Sequence, residues 1–191
     1  MSDGKDLALI VPVYNEGHQI VRVIDSWVEK LRALSVSFEL DVYNDGSKDG
    51  TREFLEDLQG KYPELKLHDK ENSGHGPTIL LGYRRQSGDF PWLLQVDSDG
   101  EIGPENFSSL WDVREDYDLL KGIRQGRRQK FFRRIMSWAA DKVIFLVFGR
   151  GISDPNCPYR LMRSSAFSDF SSSSSSLRRS SFVRLSGMYS V

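Results

Sequence analysis

Asp97 and Asp99 stand two residues apart where the apolar run Trp92-Leu93-Leu94-Gln95-Val96 gives out. A run of that length, bounded by turn residues, predicts a short buried strand. Paired carboxylates at the end of such a strand are costly unless they face water or bind a cation. A hard divalent ion held by one or two carboxylates, with phosphate oxygens completing its shell, suits them. That chemistry belongs to nucleoside diphosphates. Asp97-Ser98-Asp99-Gly100 is also good turn chemistry, so the triplet taken alone reads equally as a solvated turn.

The elements that must position these carboxylates alternate along the chain. Leu7 to Val13 is an almost continuous apolar run, as in a parallel strand covered on both faces. Ile20, Ile24, Trp27, Val28 and Leu31 recur at helical spacing. Phe38 to Tyr43 reads as a second strand, a helix runs from Thr51 to about Gly60, and Leu65 to Leu67 is a short third strand. Pro77 to about Gln86 reads as a helix with proline in its first turn. Trp92 to Val96 is the fourth strand and Tyr117 to Leu120 a fifth. Such alternation predicts an α/β fold with a mostly parallel central sheet flanked by helices. Ligands then lie at the carboxyl ends of the strands.

Each of those ends carries polar side chains. The first strand runs into Pro12-Val13-Tyr14-Asn15-Glu16, where an aromatic ring and two polar groups suit a base or ribose; a turn capped by Asn15 is the plainer reading. The second ends in residues 44–51, Asn-Asp-Gly-Ser-Lys-Asp-Gly-Thr, where Asp45 can accept a hydrogen bond from a base N–H and Asp49 or Thr51 can cap the next helix. After the third comes Glu71-Asn72-Ser73-Gly74-His75-Gly76-Pro77. Its small residues would let backbone N–H groups approach a phosphate, with His75 either touching substrate or solvated. No Gly-Lys-Ser/Thr follows, so this is not a Walker loop. Ser98 and Glu101 accompany the carboxylate pair on the fourth.

The composition bounds the rest. A chain of 191 residues with 39% hydrophobic and 28% charged residues supports one domain with a real core. A net charge of −1 gives no sign of a nucleic-acid partner. One cysteine, Cys157, excludes an internal disulfide and a cysteine-based zinc site, and favours a reducing compartment. Residues 1–6 lack the basic-then-apolar pattern of a signal peptide, and no apolar run reaches spanning length, so the expected location is cytoplasmic. Thirteen of the 28 residues from Ser164 to Val191 are serine, which sets apart a catalytic region at 1–167 from a tail at 168–191 expected to be disordered or atypical.

Taken in order, VPVYNE at 11–16, NDGSKDGT at 44–51, NSGHGPTILLGYRRQSGD at 72–89 and VDSDGEIGPENF at 96–107 resemble the family 2 glycosyltransferases, which have the GT-A fold. GIR at 122–124 and ISDPNCPYRLMR at 152–163 extend the resemblance, most closely to the dolichol- and polyprenyl-phosphate sugar synthases. The resemblance implies a nucleotide-contacting set of Pro12, Tyr14, Asn15, Glu16, Asp45, Asp97 and Ser98. It also implies metal ligands Asp97, Asp99 and Glu101, and a phosphate-facing Arg124. Asn44 stands where an aspartate is common, and Pro158 where the phosphate-acceptor branch usually has glycine.

The activity so implied is inverting transfer of a sugar from a nucleoside-diphosphate donor, of the GDP-mannose or UDP-glucose type. Mg2+ or Mn2+ would be the Lewis acid on the diphosphate. A sugar-hydroxyl acceptor would need a base, for which Asp154 is the candidate. A lipid-phosphate acceptor is already anionic and needs cations instead. From Lys121 to Arg134 there are seven basic residues and no acidic one, Arg124 and Arg128 among them, and Arg160 can face the acceptor as well. Polyprenyl phosphate is therefore the expected acceptor; saccharide elongation, or nucleotide-sugar binding without turnover, are the alternatives. The aromatic-rich stretch from Phe131 to Phe148 reads as a helix at a membrane surface or one packed on the sheet, which adds the cytoplasmic membrane face to the expected location.

Overall fold

The computed structural model describes residues 4–124, 158–171 and 180–185. Its core is a sheet of seven strands: β1 (Leu7–Val13), β2 (Phe38–Asp45), β3 (Leu65–Lys70), β4 (Trp92–Gln95), β5 (Leu119–Arg124), β6 (Arg160–Arg163) and β7 (Ser180–Leu185). The order across it is β3-β2-β1-β4-β6-β5-β7. β1 pairs in parallel with β2 and β4, β2 with β3, and β5 with β7, whereas β6 runs antiparallel to both β4 and β5. Six strands therefore share one direction and β6 alone is reversed. The expected mostly parallel α/β sheet is what forms, and the carboxyl ends of β1 to β4 line one edge.

The helices are α1 (Gln19–Ala33), α2 (Thr51–Lys61), α3 (His75–Gln86), α4 (Phe107–Asp112) and α5 (Ser164–Ser171). β1 is buried along its whole length because it is covered on both faces. Its odd-numbered residues Leu7, Leu9, Val11 and Val13 join Ile20, Ile24, Trp27 and Leu31 of α1, Leu55 and Leu58 of α2, and Phe107 and Leu110 of α4. Ala8 and Ile10 face the other way, toward Ile79 and Tyr83 of α3. The period-2 pattern of the strand thus assigns alternate residues to two cores.

α3 comes unusually close to the sheet. A Cβ at Gly82 would lie 2.6 Å from Ile10 Cγ2, so only glycine permits this approach. The approach places the first turn of α3 beside the end of β4.

Several boundaries differ from expectation; β2 runs on to Asp45 and α3 begins at His75. β3 extends to Lys70; among the described residues it is an edge strand bonded to β2 alone, with Lys66 and Asp69 exposed. β5 is displaced toward the carboxyl side and contains Lys121, which is buried. Within the serine-rich tail, Ser180–Leu185 forms β7 alongside β5, and α5 crosses the expected boundary at residue 167. The short run Phe182-Val183-Arg184-Leu185 supplies the strand-forming residues there. Among the described residues, no helix is long and apolar enough to cross a membrane.

Candidate active site

The loops after β1 and β2 are tied together by side chains acting on backbone. Thr51, fully buried at the start of α2, accepts hydrogen bonds at Oγ1 from the N–H groups of Glu16 (3.0 Å) and Gly17 (2.9 Å) and donates to Asp49 Oδ1 (2.5 Å). Asn15 has φ +55, the left-handed conformation that asparagine tolerates better than most residues. Its N–H donates to Ser47 Oγ (3.0 Å) and its Oδ1 accepts from the N–H of Lys48 (2.8 Å). Asn15 is therefore a staple between two loops and not the cap of α1, which begins four residues later. Tyr14, at 47% exposure, is free to stack on a ligand. Pro12 lies inside β1 opposite Tyr43.

Asp45, the last residue of β2, is only 3% exposed. Its Oδ1 accepts from Lys70 Nζ and from the N–H of Ser73 (2.9 Å), and its Oδ2 from the N–H of Gly74 (2.9 Å). Burial alone would raise this carboxyl, but the Lys70 ammonium and the two amides together hold it below the ordinary carboxylate range. Lys70 Nζ also donates to Glu71 O (2.6 Å) and Ser73 Oγ (2.8 Å), with Thr78 Oγ1 a longer contact at 3.3 Å. The neighbouring Asn44 donates to Asp69 Oδ1 (2.7 Å) and accepts from the N–H of Ser47 (3.2 Å). This cage fixes the loop that leads into α3.

The end of β4 completes the site. Ser98 Oγ donates to Glu16 Oε1 (2.8 Å), joining the β4 loop to the β1 loop. Gln19 of α1 donates its side-chain amide to the carbonyl of Asp99, and Asp99 Oδ1 accepts from the N–H of Glu101 (2.9 Å). His75 Nε2 lies 3.3 Å from Asp97 Oδ1, an ion pair when the ring is protonated, and that oxygen is buried with no hydrogen-bond partner. The Asp97 carboxylate raises the His75 imidazole above its ordinary value, against the effect of its partial burial. Arg160 of β6 sits opposite Gln95 in register, and its charge acts on both His75 and the buried Tyr83. Tyr83 donates to Gln95 Oε1 (2.7 Å) beneath them.

Pro12, Tyr14, Asn15, Glu16, Asp45, Asp97, Ser98, Asp99, Glu101 and Arg160 are thus gathered at one edge of the sheet. Arg124 is the last residue of β5. Asp154 and Arg128, like the stretch from Phe131 to Phe148, lie outside the described residues. Sequence reasoning missed Lys70, although the alternation along β2 and β3 puts residues 45 and 70 in register. It also missed Thr51 as an acceptor for two amides, for which no one-dimensional signal exists.

The donor set suits a hard cation that takes few protein ligands. Among the described residues, no three His, Cys, Asp or Glu side chains converge on a common point. The buried Oδ1 of Asp97 makes no hydrogen bond and has the His75 ring nitrogen 3.3 Å away, and Asp99 stands two residues further on. Mg2+ or Mn2+ bound by one or two carboxylates and by diphosphate oxygens fits this arrangement.

Comparison with known proteins agrees with this geometry. The chain is 27% identical over 164 residues to the undecaprenyl-phosphate 4-deoxy-4-formamido-L-arabinose transferase of Yersinia pestis (strain Pestoides F), covering 83% of this chain and 49% of that protein. It therefore spans about half the length of the curated relatives it matches. Its fold matches residues 1–349 of TarS from S. aureus at TM-score 0.60, with 19% identity over 93% of this chain and 58% of that one. It also matches the mannosyltransferase PcManGT from Pyrobaculum calidifontis, solved with GDP-Man and Mn2+, at TM-score 0.61, with 17% identity over 86% of this chain and 46% of that one. These likenesses establish the GT-A fold. The model of the family described as "Glycosyl transferase family 2" matches residues 8–182, and the chain belongs to that family.

Proposed function

We propose that this chain is the catalytic part of a metal-dependent, inverting glycosyltransferase that moves a sugar from a nucleoside-diphosphate sugar to a polyprenyl-phosphate acceptor. The observation that carries the reading is the Asp97 carboxylate at the carboxyl end of β4, whose buried Oδ1 makes no hydrogen bond and has the His75 ring 3.3 Å away, with Asp99 two residues on. Asp97 and Asp99 would hold Mg2+ or Mn2+, which when bound supplies Lewis-acid stabilisation to the departing diphosphate.

The protein's own groups do the rest. Tyr14 offers an exposed ring for the base, and the Ser98–Glu16 bond holds the two loops that flank the ribose. Arg160 places positive charge beside the leaving diphosphate, where a fixed cation lowers the barrier without reorganising. A phosphate acceptor is anionic at neutral pH and attacks the anomeric carbon directly, so it needs positioning by cations and no proton transfer. Arg124 and Arg128 are the residues we assign to that task. Two facts support the acceptor class: the seven basic residues from Lys121 to Arg134, and the undecaprenyl-phosphate substrate in the names of the curated relatives. The same acceptor supports a location at the cytoplasmic face of a membrane.

Transfer of radiolabelled sugar to a short-chain polyprenyl phosphate, run beside a panel of oligosaccharides, tests the proposal. Label should enter the lipid phosphate in wild type and not in Asp99→Ala. Label entering only oligosaccharides would reassign the acceptor and give Asp154 the role of base. No transfer to either would leave a binding domain without turnover. Flotation with anionic liposomes tests the location: recovery unchanged by lipid or salt would remove it.

A further inference from the structure

We propose, on the reading of the strand ends as a nucleoside-diphosphate site, that Lys70 makes the base pocket a single-acceptor site and so selects a uridine over a guanosine donor. An ionised carboxylate offers about four lone-pair positions, two on each oxygen. Three of those on Asp45 are taken inside the protein. Oδ1 receives Lys70 Nζ and the N–H of Ser73, and Oδ2 receives the N–H of Gly74. One position remains, on Oδ2.

The two bases differ in what they ask of that carboxylate. The edge of guanine presents two parallel donors, N1–H and the 2-amino group, which a carboxylate matches only by setting one oxygen against each. Uracil presents a single donor, N3–H. With Oδ1 filled by Lys70 and Ser73, guanine would bury its second donor without an acceptor, and unmatched polar groups in a dry site discriminate strongly. Asp45 is only 3% exposed, so its carboxylate has little room for more than one further donor. Asn44 is held in the loop, its amide donating to Asp69 and its oxygen receiving the N–H of Ser47. The depressed proton affinity of Asp45 agrees with this account, since the carboxylate stays ionised and acts only as an acceptor. Lys70 cannot turn to another partner at little cost, because Glu71 and Ser73 hold the same ammonium in place.

Isothermal titration of the full chain with UDP and with GDP, at fixed Mg2+, tests the assignment. Wild type should bind UDP at least about tenfold more tightly than GDP. In Lys70→Met, where Oδ1 regains a lone pair, the ratio should shrink to about threefold or less, chiefly through tighter GDP binding. Lys70→Arg keeps a cation on Oδ1 and should keep the preference. If the substituted chains do not fold, the wild-type ratio decides alone. Equal binding of the two, or a preference for GDP, would overturn the base assignment and leave the nucleotide site intact. Binding of neither would overturn the nucleotide-site reading itself, and the base assignment with it.

Discussion

Replacing Gly82 by alanine should destabilise the protein, although alanine is the better helix former. In an open helix interior the change would gain about 1 kcal/mol. Here the new Cβ would meet Ile10 Cγ2 at 2.6 Å and Tyr43 Cε2 at 3.1 Å. Both residues are fully buried, and Ile10 belongs to the strand at the middle of the parallel sheet, with β2 and β4 bonded on either side. Neither neighbour can retreat without moving the sheet, so α3 must lift instead. Overpacking of this kind costs about 1–3 kcal/mol. Taking the upper half of that range and subtracting the helix gain leaves a net loss of about 1–2 kcal/mol, or roughly 2–8 °C in Tm for a chain of this size. Urea unfolding should show a lower midpoint at unchanged slope. In an Ile10→Ala background the clash is absent, so the two substitutions should be less than additive by about 1–3 kcal/mol. A Gly82→Ala protein that melts at or above the wild-type temperature would refute the claim that glycine sets the distance between helix and sheet.

The remaining predictions concern the loops and the second core. Thr51→Val should cost about 1–3 kcal/mol, because the N–H groups of Glu16 and Gly17 lose their shared acceptor. It should also raise KM for the donor more than it lowers kcat; an unchanged KM would show that the staple does not shape the site. Asp41 is fully buried, and that burial raises its carboxyl despite hydrogen bonds from His68 Nε2 and Gln86 Nε2, both 2.7 Å. A carboxyl raised on folding contributes stability at low pH that is lost as pH climbs through its folded value. Asp41→Asn lacks that loss, so its Tm relative to wild type should rise as pH climbs from the ordinary carboxylate value through the folded one, and level off above it. A difference that is flat or falls with pH would contradict the buried-carboxyl account.

How much of this was readable in the chain follows from physical range. The strand and helix pattern was readable because burial on one face imposes a period, and β1, α1 and β2 declare theirs plainly. The ends of elements were less so: Lys66, Asp69 and Lys70 look like loop residues until β3 is known to be an edge strand that bonds only β2. The pairing of the candidate carboxylates Asp97 and Asp99 was readable because they share one short segment. Lys70 and Asp45 are 25 residues apart, and their pairing depends on the register of β3 against β2. Lys70 reads locally as an exposed charge, and only the folded sheet turns it into the partner of a buried acid. Thr51 likewise reads as a cap for its own helix, whereas its hydroxyl reaches two amides more than thirty residues earlier in the chain. The close approach of α3 was hidden for a different reason, since a helical glycine signals a weak helix as readily as a tight contact.

The most direct test of the account is calorimetric titration of UDP into the full chain with and without Mn2+, repeated on Asp97→Ala and Asp99→Ala. The metal should tighten binding by at least about tenfold in wild type and by little in either variant, with both variants folded by circular dichroism. Binding that is equally tight without metal, or a metal effect that survives both substitutions, would contradict it.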